Sequence, residues 1–192
     1  MEYPKEIFKA YDIRGIVGKT FTADIVEAIG HAIGSEAVAR GQKEICIGRD
    51  GRLSGPDMAA ALARGIQKAG IGVVDLGMVA TPMTYFAAYQ LNTNSAVMVT
   101  GSHNPPDYNG LKMVLGGETL SGDTIQKLRQ RLVNNDLVNG SGGYREYNIA
   151  EEYLTRIVSD VKLARPMKII IDCGNGVPGA FAPRLYRDMG CQ

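Results

Sequence analysis

The stretch Ser95-Ala-Val-Met-Val-Thr-Gly-Ser-His-Asn-Pro-Pro-Asp-Tyr-Asn-Gly-Leu-Lys-Met-Val-Leu115 holds two short apolar runs with a polar, proline-containing loop between them. The runs, residues 96–99 and residues 111–115, each have the length and composition of a buried strand. No helix fits between them, so the second strand is predicted to run antiparallel or to sit apart from a parallel set. Because loops between strands are favoured places for function, we take residues 100–112 as the candidate site.

Upstream of this stretch, apolar periodicity predicts three rounds of helix followed by strand. The predicted order is a helix from Thr22 to about Arg40, a strand at 44–48, a helix from Ser54 to about Gly70, a strand at 72–80, a helix at 81–91 and a strand at 95–100. Ser54, Pro56 and Asp57 have the pattern of an N-cap, a first-turn proline and a capping-box carboxylate. In the simplest interpretation, residues 7–17 form an edge strand with solvated charges. The alternation indicates a three-layer αβα domain with a mixed, mostly parallel sheet.

Downstream, the composition changes between residues 134 and 143, where asparagine, glycine and serine dominate. This segment is the best linker candidate in the chain. The predicted elements around it are a helix from Ser121, a helix at 149–163 and a strand at 167–171. One strand with one or two helices cannot bury a sheet face. We therefore predict a first domain at residues 1–148 and the incomplete start of a second α/β domain at residues 149–192.

The composition argues against several classes of function. With 45% hydrophobic and 21% charged residues, the chain of 192 residues is typical of globular proteins. Its net charge of +1 gives no electrostatic footprint for nucleic acid or a membrane surface, so we expect small-molecule partners. Three scattered cysteines, the lack of an apolar leader and the lack of any window of about 18 apolar residues predict a cytoplasmic protein with reduced thiols.

Ser102 is the nucleophile candidate in the loop, but its surroundings do not fit a serine hydrolase. The run Gly101-Ser-His-Asn104 lacks the second glycine of the Gly-x-Ser-x-Gly motif. Adjacent residues of an extended chain point to opposite sides, so His103 is predicted to be badly placed as a base for Ser102. The other histidine, His31, lies on a predicted packing helix, which argues against a triad. A serine that only caps a turn is the structural alternative.

Phosphoryl chemistry suits the loop better. It needs N–H donors and cationic side chains around a phosphate, and a hydroxyl that can carry the group. Gly101 permits close approach of the backbone, and Asn104 offers side-chain donors. Lys112 supplies positive charge on the adjoining strand, and Arg14 joins it if the fold brings the N-terminal segment there.

Three segments carry a resemblance to a known family: Tyr11-Asp-Ile-Arg-Gly15, Gly48-Arg-Asp-Gly-Arg-Leu-Ser-Gly55 and Thr100-Gly-Ser-His-Asn-Pro-Pro-Asp-Tyr-Asn-Gly-Leu-Lys112. In order and spacing they resemble the α-D-phosphohexomutase superfamily, and most of all its bacterial phosphomannomutase/phosphoglucomutase branch. Asp172-Cys-Gly-Asn-Gly176 is similar to the family's start of its second domain. The resemblance therefore extends over nearly the whole chain, and the serine segment is its most specific part.

The resemblance implies a reaction and a set of site residues. In the family, a phosphoserine gives its phosphoryl group to a hexose monophosphate, and the bisphosphate turns over in the site before returning its other phosphoryl group. The implied activity interconverts hexose 1-phosphate and 6-phosphate, with mannose or glucose as the sugar. Ser102 matches the phosphorylated serine, which also contacts substrate. The remaining matches are Lys112 and Arg14 as acid/base and charge-stabilising residues, His103 in the catalytic loop, and Tyr11 and Asn104 as substrate-binding residues.

The resemblance also implies Mg²⁺, bound by an oxygen of the phosphoserine at Ser102, with its remaining ligands beyond the chain end. A glucose 1,6-bisphosphate-type activator, hexose phosphates as substrates and a monomeric full-length protein complete these expectations. The family's aspartate-rich metal loop, its sugar-recognition loop and its C-terminal phosphate-binding loop have no counterpart in the 192 residues. The isolated chain is therefore predicted to be inactive as a mutase.

Three alternatives stay open at this point. A phosphoglucosamine mutase is the nearest, although the serine of hexosamine mutases more often follows alanine than the glycine present here. A dinucleotide-binding module would use Gly174-x-Gly176-x-x-Gly179, which follows a predicted strand and opens a helix. A non-catalytic phosphate-binding module would use the serine loop itself. For the charged turn at residues 49–52, a salt bridge from Asp50 to an arginine is favoured over direct catalysis.

Overall fold

The computed structural model describes residues 3–192. Its strands are β1 (Ile13–Ile16), β2 (Glu44–Arg49), β3 (Gly72–Met78), β4 (Ala96–Val99), β5 (Tyr108–Leu115), β6 (Glu118–Thr119) and β7 (Tyr144–Glu146). Its helices are α1 (Ala23–Ala39), α2 (Gly55–Lys68), α3 (Thr81–Gln90), α4 (Asp123–Val133), α5 (Ala150–Asp160) and α6 (Ala182–Asp188), with 3-10 turns at Lys5–Ile7 and Val177–Ala180. The predicted alternation of helix and strand up to β4 is confirmed.

The strands form one mixed sheet in the order β1-β5-β4-β2-β3-β7, with β6 paired to β5. Strands β4, β2, β3 and β7 are parallel neighbours, whereas β5 runs antiparallel to both β4 and β1. The register places Met98 opposite Lys112 and Arg14 opposite Gly110. The structure therefore confirms the antiparallel strand after the serine loop, and the N-terminal segment is an edge strand beside it.

Helices cover both faces of the sheet, which gives the three-layer αβα architecture. On one face, α1, α2 and α4 enclose a core of buried apolar side chains that includes Ile29, Ile33, Leu62, Ile66, Val97, Met113 and Leu128. On the other face, α3 packs on Cys46 and Val74. Helix α5 packs on α3 through Phe86 and Tyr153, whose rings meet edge to face with centroids 5.4 Å apart. The spacing of apolar positions predicted the buried faces of α1, α2 and α4. The face predicted for α5 is only partly buried, since Val161 is exposed.

Helices α1 and α2 cross at close range because glycines lie at their contact. A Cβ atom at Gly65 would lie 2.0 Å from the carbonyl oxygen of Glu27, and one at Gly30 would lie 2.5 Å from the carbonyl oxygen of Leu62. Neither position has room for a side chain, since real Cβ contacts with backbone atoms are far longer than this. The glycines thus set the distance between the two helices.

The start of α2 differs from the sequence prediction. Ser54 makes no side-chain cap, because its own backbone is already helical and its Oγ accepts a hydrogen bond from Asn109 Nδ2 at 2.9 Å. Pro56 does occupy the first turn. By contrast, Thr22 caps α1 as a threonine in that position should, accepting a hydrogen bond from the Ile25 amide. The Ser54 hydroxyl instead ties the start of α2 to β5.

Residues 134–143 are not a free linker, which corrects the sequence prediction. The amides of Gly140 and Gly142 donate hydrogen bonds to the carbonyls of Lys68 and Gln67 at 2.7 and 2.9 Å. The segment then enters β7, a short exposed strand that extends the sheet beside β3. Its three exposed residues lack the apolar alternation by which sequence reasoning finds strands.

Residues 167–171 do not form the predicted strand. Ile170 is fully exposed. The ladder-type hydrogen bonds of this segment run from the Ile169 amide to the Gln192 carbonyl and from the Gln192 amide to the Met167 carbonyl. A strand needs a neighbouring strand over several residues, and within residues 3–192 this segment has only that one pairing.

The glycine-rich run at residues 174–179 also loses the context that a dinucleotide fingerprint needs. No strand of the described chain leads directly into this run, since the preceding element is α5. A 3-10 turn separates the run from α6, which begins at Ala182 and has 7 residues. The dinucleotide-binding alternative therefore has no structural support.

No helix in residues 3–192 is long and apolar enough to cross a membrane. Cys46, Cys173 and Cys191 are free thiols in the structure. Burial between the sheet and α3 raises the pKa of the Cys46 thiol, although its hydrogen bond with Thr93 acts in the other direction. A buried thiol of this kind is a packing residue of low reactivity.

Candidate active site

The serine loop, residues 100–107, lies at the edge of the sheet where the parallel strands end. Strand β4 leads into the loop and β5 leads out of it. The charged turn after β2 lies beside the loop because β2 and β4 are parallel neighbours, with Arg49 paired to Val99. Open α/β sheets place ligands at this edge.

One carboxylate holds the entrance of the loop. Asp50 Oδ2 accepts hydrogen bonds from Thr100 Oγ1 at 2.7 Å and from the Gly101 amide at 3.2 Å. Its Oδ1 accepts a hydrogen bond from the Arg52 amide at 3.0 Å. Thr100 Oγ1 in turn accepts a hydrogen bond from the Ser102 amide at 2.9 Å. Asp50 therefore fixes the backbone on which Ser102 stands.

The guanidinium of Arg52 holds the rest of the loop. Its Nη2 donates to the carbonyls of Ser102 at 3.1 Å and Asn104 at 2.7 Å. Its Nη1 donates to the carbonyls of Pro105 at 2.6 Å and Tyr108 at 2.9 Å. The predicted salt bridge within the charged turn is present, since Arg52 Nε lies 3.5 Å from an oxygen of Asp50. The turn is therefore linked to the serine loop as well as to itself, because Arg52 also binds four loop carbonyls.

Ser102 presents its hydroxyl at the surface. Its φ angle of 53° lies in the left-handed region, which few residues other than glycine adopt. In this conformation Ser102 Oγ lies 3.3 Å from His103 Nδ1. The prediction that these neighbouring side chains point apart is wrong, because it assumed an extended backbone. The structure gives the hydroxyl an imidazole within hydrogen-bond range.

Arg14 and Lys112 meet on the half-exposed face of β1 and β5, held by a buried aspartate. Asp12 accepts a hydrogen bond from Arg14 Nη2 and lies 3.6 Å from Lys112 Nζ. The side chain of Asp12 is only 8% exposed. The Arg14 Nε is buried and has no hydrogen-bond partner in the described structure. Asp12 is therefore not the solvated charge that the sequence suggested.

Two clefts flank the serine loop. One, of about 810 Å³, is lined by Tyr11, Arg14 and Lys112. The other, of about 660 Å³, is lined by Ser102, by apolar side chains that include Leu53, Val79, Pro82 and Met98, and by residues 175–178. Asn104 lines both clefts, and its Nδ2 donates a hydrogen bond to the Gly101 carbonyl at 2.9 Å. The structure thus gathers the site residues that the sequence proposed around one loop, in two adjoining clefts.

The residues present do not by themselves fit a magnesium site. Nowhere in residues 3–192 do three or more histidine, cysteine, aspartate or glutamate side chains gather as metal ligands. The carboxylates of Asp12 and Asp50 are already engaged, Asp12 by Arg14 and Lys112, and Asp50 by backbone and hydroxyl donors. A cation at Ser102 would need ligands from elsewhere.

Sequence reasoning missed the roles of Asp12 and Arg52. Asp12 is two residues before Arg14, so strand alternation places both on one face, but the pairing with Lys112 depends on a register that the sequence does not show. Arg52 lies about 50 residues from the carbonyls that it binds, and no local pattern connects them. Such residues are found only when the strands are brought together.

Comparisons with known proteins place the chain among proteins of one kind. The family model for phosphoglucomutase/phosphomannomutase, alpha/beta/alpha domain I, matches residues 5–139. A phosphomannomutase/phosphoglucomutase of Pseudomonas aeruginosa is 52% identical over 188 residues, which cover 98% of this chain and 41% of the relative. A phosphoglucomutase of Neisseria meningitidis is 54% identical over 188 residues, which cover 97% of this chain and 41% of the relative.

A solved structure of a phosphoglucomutase/phosphomannomutase family protein from Burkholderia thailandensis superposes with a TM-score of 0.94 at 50% sequence identity. That match covers 100% of this chain and 43% of the solved chain. The chain therefore spans about two fifths of the length of the curated relatives described above. Since the family model matches most of its residues, the chain belongs to the phosphoglucomutase/phosphomannomutase family.

Proposed function

We propose that this chain supplies the phosphoryl-carrying part of a phosphohexomutase site, which interconverts the 1-phosphates and 6-phosphates of glucose and mannose. The names of the Pseudomonas aeruginosa and Neisseria meningitidis relatives support this reaction class. The observation that carries the proposal is the setting of Ser102. Its exposed hydroxyl stands on a backbone fixed by Asp50 and Arg52, next to a cleft with two cations.

Ser102 Oγ carries the phosphoryl group between two sugar oxygens. In the first transfer, the bond from Ser102 Oγ to phosphorus breaks and a bond forms from a hydroxyl oxygen of the hexose monophosphate to the same phosphorus. The proton of that sugar hydroxyl ends on Ser102 Oγ, and the product is a hexose 1,6-bisphosphate. In the second transfer, the other phosphoryl group moves to Ser102 Oγ, and the proton moves to the sugar oxygen that it leaves. The carrier is thereby restored.

The neighbouring side chains can serve these transfers. The transferring phosphoryl group spreads negative charge over its oxygens, which Arg14 and Lys112 are suited to neutralise. We assign Lys112 the acid/base role at the sugar oxygen, in keeping with the family resemblance. His103 Nδ1, 3.3 Å from Ser102 Oγ, can hold the proton at the serine. Tyr11 and Asn104 line the cleft in which the sugar phosphate would lie.

The family resemblance supplies the rest of the proposal. A phosphate on Ser102 would offer one oxygen to Mg²⁺, whose charge would help to neutralise the transferring group. The remaining ligands would come from outside the described residues. We further propose a cytoplasmic phosphoprotein that is monomeric at full length and is activated by a glucose 1,6-bisphosphate-type compound.

Phosphorylation of Ser102 is the direct test. The purified chain is incubated with glucose 1,6-bisphosphate and Mg²⁺, and intact-mass and peptide mass spectrometry then locate any added phosphoryl group. We expect a single phosphoryl group on Ser102 and none in Ser102→Ala. Two results would overturn the carrier role. In the first, the phosphoryl group is found on another residue. In the second, neither this chain nor the chimaera described in the next paragraph takes up a phosphoryl group.

A chimaera tests the complete reaction. The chain replaces the matching 188 residues of the Pseudomonas aeruginosa relative, and both directions of glucose and mannose phosphate interconversion are assayed. We expect mutase activity in the chimaera, none in its Ser102→Ala variant and none in the 192-residue chain alone. An active Ser102→Ala chimaera would contradict the proposal, and an active isolated chain would show that the described residues already form a complete site.

A further inference from the structure

We infer that Arg52 is a positioning residue for phosphoryl transfer, because its guanidinium sets the backbone conformation from which Ser102 exchanges its phosphoryl group. The inference rests on the proposed function of Ser102. It adds a residue that lies outside the serine loop and in a different element, the turn between β2 and α2. For this arginine, the sequence predicts only a salt bridge within its own turn.

Four hydrogen bonds and one ion pair engage the guanidinium of Arg52. A guanidinium has five N–H groups in a planar fork. Four of them bind loop carbonyls, and the Nε–H faces a carboxylate oxygen of Asp50. The Arg52 side chain is only 15% exposed, although the loop carbonyls that it binds lie nearer the surface. The side chain is therefore fixed both at Nε and at its two terminal nitrogens.

Four carbonyl dipoles converge on this one cation. Without it, the four oxygens would lose their shared donor, and nothing would hold these dipoles pointing toward one another. Asp50 holds the entrance of the loop at Thr100 and Gly101. Beyond the entrance, the backbone bonds of the loop run from the Asn104 amide to Gly101 and from the Tyr108 amide to Pro105, and Arg52 binds the carbonyls that these bonds leave free. The conformation of the loop thus depends on Arg52.

The orientation of one peptide group links Arg52 to the chemistry. The carbonyl of Ser102 points at Arg52, and in a trans peptide the carbonyl and the following N–H point to opposite sides. The N–H of His103 is therefore turned away from the guanidinium, and it has no hydrogen-bond partner in the described chain. This N–H can donate a hydrogen bond to a phosphoryl oxygen on Ser102.

Lysine cannot replace Arg52 in this role. An ammonium group places three donors on a single nitrogen, whereas the four carbonyls are bound by two separate nitrogens of the fork. Gly101 belongs to the same arrangement, because a Cβ atom there would lie 2.2 Å from Arg52 Cζ. The planar guanidinium covers the backbone of Gly101 and reaches the carbonyls beyond it.

The rate of phosphoryl uptake by Ser102 tests the inference. The wild-type chimaera is compared with its Arg52→Ala and Arg52→Lys variants, and with Arg64→Ala as the control that removes a surface arginine paired with Glu27. We expect about a 100-fold lower rate in Arg52→Ala, which is typical of a misplaced reacting group. Arg52→Lys should be nearly as slow, although it keeps the charge. Added guanidinium chloride at millimolar concentration should restore part of the rate in Arg52→Ala and none in Ser102→Ala.

Hydrogen exchange of the loop amides separates this inference from the proposed function. In the unphosphorylated 192-residue chain, the amides of Ser102 and Asn104 should exchange much faster in both Arg52 variants than in wild type and Arg64→Ala. Should wild type take up no phosphoryl group at all, the proposed function fails, and exchange alone then decides whether Arg52 fixes the loop. Unchanged exchange in the Arg52 variants, or uptake at the wild-type rate, would refute the positioning role.

Discussion

The carboxylate of Asp12 lies 3.6 Å from Lys112 Nζ, and the same oxygen accepts a hydrogen bond from Arg14. A single buried acid therefore fixes both cations of the proposed site. The two strands that carry them are aligned by this contact as well as by their backbone ladder. The positions of Arg14 and Lys112 depend on Asp12, and this dependence can be measured.

Asp12→Asn should lower the free energy of unfolding of the chain by about 1.5 to 3 kcal/mol, because a neutral amide leaves two cations without a counter-charge. The same variant in the chimaera should slow phosphoryl transfer by about 100-fold, since both cations lose their positions. Urea unfolding and single-turnover kinetics measure the two effects. Asp160→Asn, which breaks an exposed pair with Arg156, should cost less than about 1 kcal/mol. Equal losses in the two variants would contradict the special role of Asp12.

Gly65→Ala should destabilise the chain by about 1 to 3 kcal/mol, although alanine is the better helix former. The new Cβ would lie 2.0 Å from the Glu27 carbonyl oxygen, so α1 and α2 would have to move apart. Urea unfolding measures the change. Ala60→Gly on the exposed side of α2 reports the helix-propensity effect alone and should cost about 1 kcal/mol. A Gly65→Ala variant with a higher free energy of unfolding would show that α1 and α2 can move apart without loss of stability.

Glu36 should contribute stability that disappears in acid. Its partial burial acts to raise the pKa of the carboxyl, but hydrogen bonds from Arg40 and Arg131 outweigh burial and hold the pKa below its ordinary value. The contribution is therefore full above the ordinary carboxyl pKa and is lost as the pH falls through the lowered value. Glu36→Gln should cost about 1.5 to 3 kcal/mol in urea unfolding at neutral pH. The gap between wild type and variant should close in acid, and a gap that is independent of pH would contradict the assignment.

Tyr144 should titrate later than an ordinary tyrosine. Partial burial, its hydrogen bond to Asp75 Oδ2 at 2.6 Å and the charge of that carboxylate raise the pKa of Tyr144 to about 12. The attachment of β7 that this bond provides is therefore full below the ordinary tyrosine pKa and is lost as the pH rises through about 12. Difference absorbance should show that Tyr144→Phe removes the late part of the tyrosine titration. Tyr89→Phe is the control for the loss of one tyrosine, and a curve of the same shape in both variants would contradict the shift.

The fold was largely predictable because its main elements carry local signals. Helix α1 repeats its apolar residues every four positions, and β2 and β4 are short apolar runs bounded by turns. Sequence reasoning failed at two segments for different reasons. One has no apolar pattern, and the other has no neighbouring strand to pair with. Strand β7 is fully exposed, and residues 167–171 have strand composition but almost nothing to pair with.

The site divides in the same way. Ser102, His103, Asn104 and Lys112 lie within one motif, so their closeness in the chain already indicated a common site. The contact of Ser102 with His103 was not predictable, because it depends on the left-handed backbone of Ser102. The contacts of Asp12 and Arg52 join segments far apart in the chain, and they exist only through the pairing of β1 with β5 and of β2 with β4.

The left-handed backbone at Ser102 also restricts which amino acid could carry the phosphoryl group in the proposed reaction. Threonine has the same hydroxyl, but its branched Cβ is strongly disfavoured at a φ angle of 53°. A Ser102→Thr exchange would force the loop to move, and the carbonyls bound by Arg52 resist that movement. Serine and threonine often replace each other at phosphorylated positions on flexible segments. In this loop threonine cannot replace Ser102, because the backbone conformation at this position excludes a branched side chain.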